Sequence, residues 1–553
     1  MIQLEQLMPS QNPLLLCAAP IVYLVGGFAG QLAGTRWLPV HAVWGVARVA
    51  SLAALLFALV CSVDRIFHAP SLVGGPMLFS VGTFGACRLS FRFDTVETLM
   101  LLLVTFLGWV IVSYSRAYMA GDPKQPSYIT RLMHTLAAVT VLVVTNSLIV
   151  FLLAWILTGL ALHGLLTLYP TRQAAVIAAH KKFLASRLGD LTLLGGVLLL
   201  GSQTHSFQLD YVAEYVSKLP AVPLSIHVAA VLLAVSAIIK CAQLPLHGWL
   251  IQVMEAPTPV SALLHAGVVN LGGFMLIRLA SVINTTPAAQ ALLVAVGCLT
   301  AVIGSLVMTT RISIKVQLAW STCAQMGFML MECGLDLYAL AFLHLLAHSL
   351  YKAHAFLGSG GTVNEAKIKS MMPAMRAPKL PAMLVSGFCG LIVAALSEVF
   401  WRPAVGIDTT ALFCIMVVGF AVAVILAAVP SIRSVVGGVI VAIAGVAVTV
   451  LYFGYDRLFQ KVLPGEISSV MQHQALLVFA LVCFGLLYGI QTIVLVNPLG
   501  GFATALYPWF YAGLYLDEVF TRATFRLWPA TPISNASQRR DASQAFEATG
   551  EGQ

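Results

Sequence analysis

The chain has 553 residues, 59% of them hydrophobic and only 9% charged, with a formal net charge of +9 and a mean hydropathy of +0.93. A soluble chain carries about 25% charged residues, so soluble multidomain enzymes, nucleic-acid binders and disordered scaffolds are excluded. Repeated apolar runs of roughly 20 residues, each long enough to cross a bilayer as a helix, leave an all-α polytopic membrane protein; the alternating strands of an outer-membrane barrel are absent.

In chain order, the segment from Met1 to Gln11 carries Glu5 and no Lys or Arg, unlike the basic start of a cleaved signal peptide, so the first span is expected to be retained. About 15 transmembrane helices are predicted, the first centred near residue 23 and the last near residue 485. With the N-terminus outside, about 20 Lys and Arg residues fall on the inner side and about 8 on the outer, so the positive-inside rule sets that orientation and an inner (cytoplasmic) membrane location. The positive charge is therefore a topology signal, and no nucleic-acid partner is expected. The ten cysteines are scattered without a C-x-x-C pair and read as packing residues.

The longest outer connection, Val63 to Arg92, contains Ala-Pro and Gly-Gly-Pro. The alternation from Cys87 to Phe93 then predicts a short hairpin strand. Lys240 and Glu398 each lie in an apolar span with a proline five positions later, Pro245 and Pro403. Proline breaks a helix, and broken helices in corresponding halves point to a transport site. Residues 1–129 are thus assigned to N-terminal spans and the outer hairpin. Residues 130–280 and 287–430 form two inverted five-helix repeats, 431–500 the C-terminal spans, and 501–553 a cytoplasmic amphipathic helix, Ala505 to Trp528, with a disordered tail from Pro529.

Charge at bilayer depth costs about 2.5–3.5 kcal/mol even on lenient scales, so each such residue is a candidate for function. His344, His348 and Lys352 recur every four residues and share one helical face, about 6 Å apart along the axis. One water between each pair would complete a proton chain, and both residue types can take and release protons. The same histidines could instead bridge helices through backbone carbonyls, which would leave Lys352 unexplained. Leu345 stands where a zinc-protease motif needs Glu, so zinc is disfavoured. Lys240, His247, Glu255 and His265 form a second group around the broken segment, and His163 in the fifth span joins the wider set. An interfacial role for His247 and Glu255, and snorkelling for Lys240, are the plainer alternatives.

Together, Lys240-Cys-Ala-Gln-Leu-Pro-Leu, Met254-Glu-Ala-Pro-Thr-Pro-Val-Ser-Ala-Leu-Leu-His265, Leu318-Ala-Trp-Ser-Thr-Cys-Ala-Gln-Met-Gly-Phe328 and His344-x3-His348-x3-Lys352 resemble the antiporter-like membrane subunits. These are the proton-channel subunits of respiratory complex I and of the multisubunit Mrp Na+/H+ antiporters. The resemblance implies inverted repeats and a hydrated axis on which Lys240, His265, His344, His348, Lys352 and Glu398 carry protons or Na+. Two departures are visible. Where the family has a glutamate after the fifth-span tryptophan, Trp155 is followed by Ile156, and after His265 the chain reads Ala-Gly-Val-Val-Asn270. The short C-terminal part is similar to that of the membrane subunit of the DAB inorganic-carbon transporters. That similarity implies a soluble zinc-binding, carbonic-anhydrase-like partner (DabA type), with zinc in the partner and no cofactor in this chain. It also implies a transporter subunit that is not an enzyme by itself. A complex I or Mrp subunit and a non-conducting membrane anchor are the alternatives.

Overall fold

A computed structural model describes residues 18–32, 39–68, 71–81, 85–253, 256–361, 371, 378–401, 409–427, 435–462 and 474–528. Glu255, Pro403 and the tail from Pro529 lie outside the described residues. The chain opens with α1 (Ala18–Gln31) and α2 (Val40–Phe67), followed by the hairpin β1 (Ser71–Val81) and β2 (Gly85–Phe93). Next come α3 (Thr95–Tyr118), α4 (Gln125–Val144), α5 (Leu148–Leu166), α6 (Gln173–Thr204) and the short α7 (Leu209–Ser217). Helix α8 (Leu224–Lys240) breaks and resumes as α9 (Gly248–Gln252). Then follow α10 (Thr258–Ala266), α11 (Leu271–Arg278), α12 (Ala280–Asn284), α13 (Pro287–Met308), α14 (Ile314–Gly334) and α15 (Tyr338–Gly358). The last six are α16 (Leu380–Trp401), α17 (Thr409–Leu426), α18 (Val435–Val462), α19 (Gln474–Val496), α20 (Gly501–Tyr511) and α21 (Leu516–Leu527).

Among the described residues, ten helices are long and apolar enough to cross a membrane, and α1, α8 and α17 are shorter apolar helices. Helices α14 and α15, which carry the Trp320 and His344–Lys352 motifs, fall outside that apolar set. Burial grades the bundle from centre to rim: the apolar window of Thr258–Arg278 is wholly buried, whereas that of Val435–Lys461 is 17% buried. Helix α6 packs on α8, α10 on α15, and α16 on α17 and α18. Helices α13 and α14 approach closely where Gly297 and Gly327 face each other; a Cβ on either would come within 2.5–2.6 Å of the opposite carbonyl.

The predicted hairpin strand is present, as β2 pairs antiparallel with β1 from Ser71↔Phe93 to Val81↔Gly85. Its base is fastened to the bundle, with Asn146 N donating to Ser90 O (2.8 Å) and Leu209 N to Asn146 O (2.8 Å). Asp94 caps α3, accepting from Val96 N and Glu97 N, and meets Arg92 at 2.8 Å. One helix turn on, Glu97 accepts from Arg278 Nε at 2.8 Å, both side chains being at most 3% exposed. Arg278 also donates to Thr145 O at 2.6 Å, joining α11 to the end of α4. Stripping one partner from a buried pair leaves an uncompensated charge and costs about 3–5 kcal/mol. Glu97→Ala is therefore expected to lower the thermal midpoint of the detergent-solubilised protein well beyond Glu97→Gln, and equal midpoints would contradict this anchor.

Candidate ion path through the membrane domain

The first group of polar side chains gathers where α8 stops. Pro245 supplies no N–H to continue the helix, and Ala242 adopts φ +51°, so the chain turns out of helical geometry directly after Lys240. Lys240 is 8% exposed, and its Nζ lies 4.2 Å from the centroid of the Trp155 ring on α5, a cation–π contact. Helix α6 contributes three further charges. Arg187 Nη2 meets Asp190 Oδ2 at 2.6 Å, Lys182 Nζ donates to Gly159 O, and Asp190 lies within electrostatic reach of Lys240. A small cavity is lined by Trp155, Lys182, Gly189, Lys240, Trp249 and Val268. His163 stands two turns along α5 from Trp155, its ring 5.2 Å from Phe183 and its buried Nδ1 without a protein partner.

Ile156 leaves the fifth span without that glutamate, and the acid within electrostatic reach of Lys240 is Asp190 on α6, in Arg187-Leu-Gly-Asp190, paired with Arg187. It carried a legible signal, an acid inside an apolar span, but no motif in the chain linked it to Lys240.

The break itself leads toward α14. His247 is fully buried, with Nδ1 3.3 Å from Pro245 O, Nε2 without a protein partner, and its ring 4.7 Å from that of Trp320 on α14. Cys241 Sγ donates to Val269 O at 3.3 Å, tying the break in α8 to the short 3-10 turn Val268–Asn270. Asn270, where the sequence departs from the family after His265, donates to Ser349 Oγ on α15 at 2.6 Å.

The second group lies around α15. The fully buried His265 has Nδ1 3.1 Å from Thr322 Oγ1, and its ring stacks on Phe356 at 4.4 Å. Lys352 donates to Leu318 O at 3.0 Å and to Ser321 Oγ. His348 lies within electrostatic reach of Lys352, His344 and His265, and neither of its ring nitrogens has a partner among the described residues. The His344 and His348 rings are 6.2 Å apart, beyond direct hydrogen bonding, as the four-residue spacing predicts. His344 Nδ1 meets Glu332 Oε2 at 3.0 Å, and Glu332 is 1% exposed. Tyr452 on α18 lies within electrostatic reach of Glu332, Asp456 and Glu398. Glu398 on α16 in turn pairs with Arg457 Nη2 at 3.2 Å. Arg457 counts as an outer-side cation in the sequence, and it lies on α18 as a partner for the buried Glu398.

The structure therefore places Lys240 and His163 in one group and His265, His344, His348 and Lys352 in another, with His247 at the break between α8 and α9. Glu398 stands at the far side of Glu332. Among the described residues, buried polar atoms without protein partners recur from one group to the other: His247 Nε2, Ser261 Oγ, His265 Nε2, Asn270 Oδ1 and both nitrogens of His348. A buried polar atom left unsatisfied costs about 1–3 kcal/mol, so this run favours water over dry packing.

Residues 145–396 match the family described as NADH:quinone oxidoreductase/Mrp antiporter, TM, and residues 78–129 match that of the complex I chain 5 N-terminus. A probable inorganic carbon transporter subunit DabB of Hydrogenovibrio crunogenus is 43% identical over 371 residues, covering 67% of this chain and 68% of that protein. The probable subunit DabB2 of Halothiobacillus neapolitanus is 36% identical over 493 residues, covering 87% and 88%. The chain belongs to the family of antiporter-like membrane subunits and stands with its DabB-type members. The fold agrees with that of the Mrp complex of Dietzia sp. (TM-score 0.55, 22% identity, 98% of this chain and 60% of that one). It agrees also with the archaeal membrane-bound sulfane sulfur reductase (TM-score 0.56, 17% identity, 92% and 98%). The chain is a multi-pass membrane protein of the transport class, and its relatives are subunits of larger complexes.

Proposed function

We propose that this chain conducts protons or Na+ across the inner membrane and that this flux drives inorganic-carbon accumulation by a cytoplasmic partner, a soluble zinc protein resembling carbonic anhydrases. The observation that carries the reading is the 36% identity over 88% of a relative named as an inorganic carbon transporter subunit. In this reading Lys240 holds an ion-path proton against the face of Trp155, and Asp190 offsets its charge. The proton moves past His247 at the break to His265, His348 and Lys352. His344 and Glu332 pass it on, and Tyr452 and Glu398 form the far end of the route. Lys352, anchored to Leu318 O and Ser321 Oγ, sets the direction by repelling a second cation on His348 or His265. The chain supplies ion movement, and the partner's zinc supplies the CO2 chemistry.

Affinity purification of the tagged chain from its native membrane tests the reading. A large zinc-binding subunit in the complex supports it, whereas quinone- or NADH-linked subunits, or small Mrp subunits, overturn it in favour of a complex I or Mrp machine. Orientation follows from the charge bias and the predicted 15 spans: a reporter fused after Gln553 is expected in the cytoplasm, and a signal on the other side would contradict that topology.

A further inference from the structure

The C-terminal segment folds back onto the break in α8. Three consecutive positive φ angles, at Gly513, Leu514 and Tyr515, turn the chain from α20 into α21. Asp517 stands in the first turn of α21, and its carboxylate reaches three places at once. Its oxygens accept from Lys181 Nζ at 2.9 and 3.1 Å, and that lysine side chain is fully buried on α6. Oδ2 also accepts from Gln252 Nε2 on α9 at 2.9 Å. The carboxylate lies directly over Gly248, the first residue of α9, where a Cβ would sit 1.4 Å from Oδ1. A side chain at 248 and the carboxylate at 517 cannot share that space.

The contacts around this point have the same sense. Trp528 stacks on His180 at 4.0 Å, and Phe183 meets Trp528 edge-on at 5.7 Å. On the other side, Arg311 Nη2 donates to Phe510 O at 3.5 Å, and Arg311 Cζ lies 5.4 Å from the centroid of the Trp320 ring, which itself rests on His247. The segment Gly501 to Trp528 thus spans α6, α9 and the start of α14, and Asp517 is where it grips the resumed half-helix.

We infer that Asp517 is a positioning residue: through Gln252, Gly248 and Lys181 it holds α9 against α6 and so fixes the break that presents Lys240 and His247. This inference rests on the ion-path reading only for its effect on flux. Loss of the carboxylate frees the five-residue helix α9, which is too short to hold its own geometry.

The test uses the full chain in nanodiscs and in proteoliposomes. Asp517→Ala alone strands the buried Lys181 cation, so it is combined with Lys181→Met, which removes the charge at similar volume. In that double variant, amides of residues 241–253 are expected to exchange hydrogen about tenfold faster, with α13 unchanged. Proton flux driven by an imposed pH gradient is expected to fall about tenfold. Asp517→Asn with Lys181→Met, which keeps an acceptor for Gln252 over Gly248, is expected to restore both. Gly248→Ala should reproduce the loss in the parent and add nothing when Asp517 is already alanine. Unchanged exchange at 241–253, or a Gly248→Ala effect that adds in full to that of Asp517→Ala, would overturn the inference. A parent protein that passes no protons defeats the ion-path reading instead, while the exchange measurement still decides the role of Asp517.

Discussion

Lys352→Met is expected to abolish proton flux through the reconstituted chain, by at least ~100-fold or about 2.7 kcal/mol, while the protein accumulates and purifies like the parent. The side chain is 1% exposed and sits within the electrostatic field of both His348 and His265. Methionine matches its length and fills the same apolar wall, so packing is kept. What is lost is the ammonium that bonds Leu318 O and Ser321 Oγ and links the two histidines to α14. With few other proton carriers on α15, no parallel route bypasses the position. Dye-reported acidification of proteoliposomes reads the result, and parental rates in the variant would remove the relay from the account.

The second large effect concerns the relocated carboxylate. Asp190→Asn is expected to lower flux about tenfold, because Lys240 and Lys182 then face the same cavity with only Arg187 beside them. Lys240→Gln is expected to stop flux in any background. Ile156→Glu restores the acid at the position the family uses, next to the tryptophan on which Lys240 rests. In the parent it adds a second acid to a site that already has one, so coupled transport and its pH profile are altered. In Asp190→Asn it should recover most of the lost flux. Flux measured across a pH series for the four variants checks this, and the same deficit with and without Ile156→Glu would show that Asp190 does not act through Lys240.

Much of this was legible in the sequence because charge inside a bilayer is costly. Lys240, His265, His344, His348, Lys352 and Glu398 all stood out as ionisable residues in apolar spans. Hydropathy placed helices where they occur, and alternation placed β2, since both are periodic signals carried by neighbouring residues. Asp190 and Glu332 met the same cost criterion, yet their meaning depends on Lys240 and His344, which lie on other helices. Arg457 counts only as an outer-side cation in the sequence, and it is the packing of α16 on α18 that reveals Glu398 as its partner. Asp517 is 336 residues from Lys181. An amphipathic tail predicts an interfacial helix, but no local pattern can say that one of its acids lands on Gly248.

We propose that ion movement along this chain powers inorganic-carbon accumulation. It is tested most directly by the labelled inorganic carbon that cells retain when they express the chain together with its co-purifying partner. The parent is expected to accumulate carbon above the equilibrium level, to lose that excess when a protonophore or Na+ ionophore collapses the gradient, and to lose it equally with Lys352→Met. Accumulation that survives both the ionophores and Lys352→Met would contradict the account and leave the chain a membrane anchor for its partner.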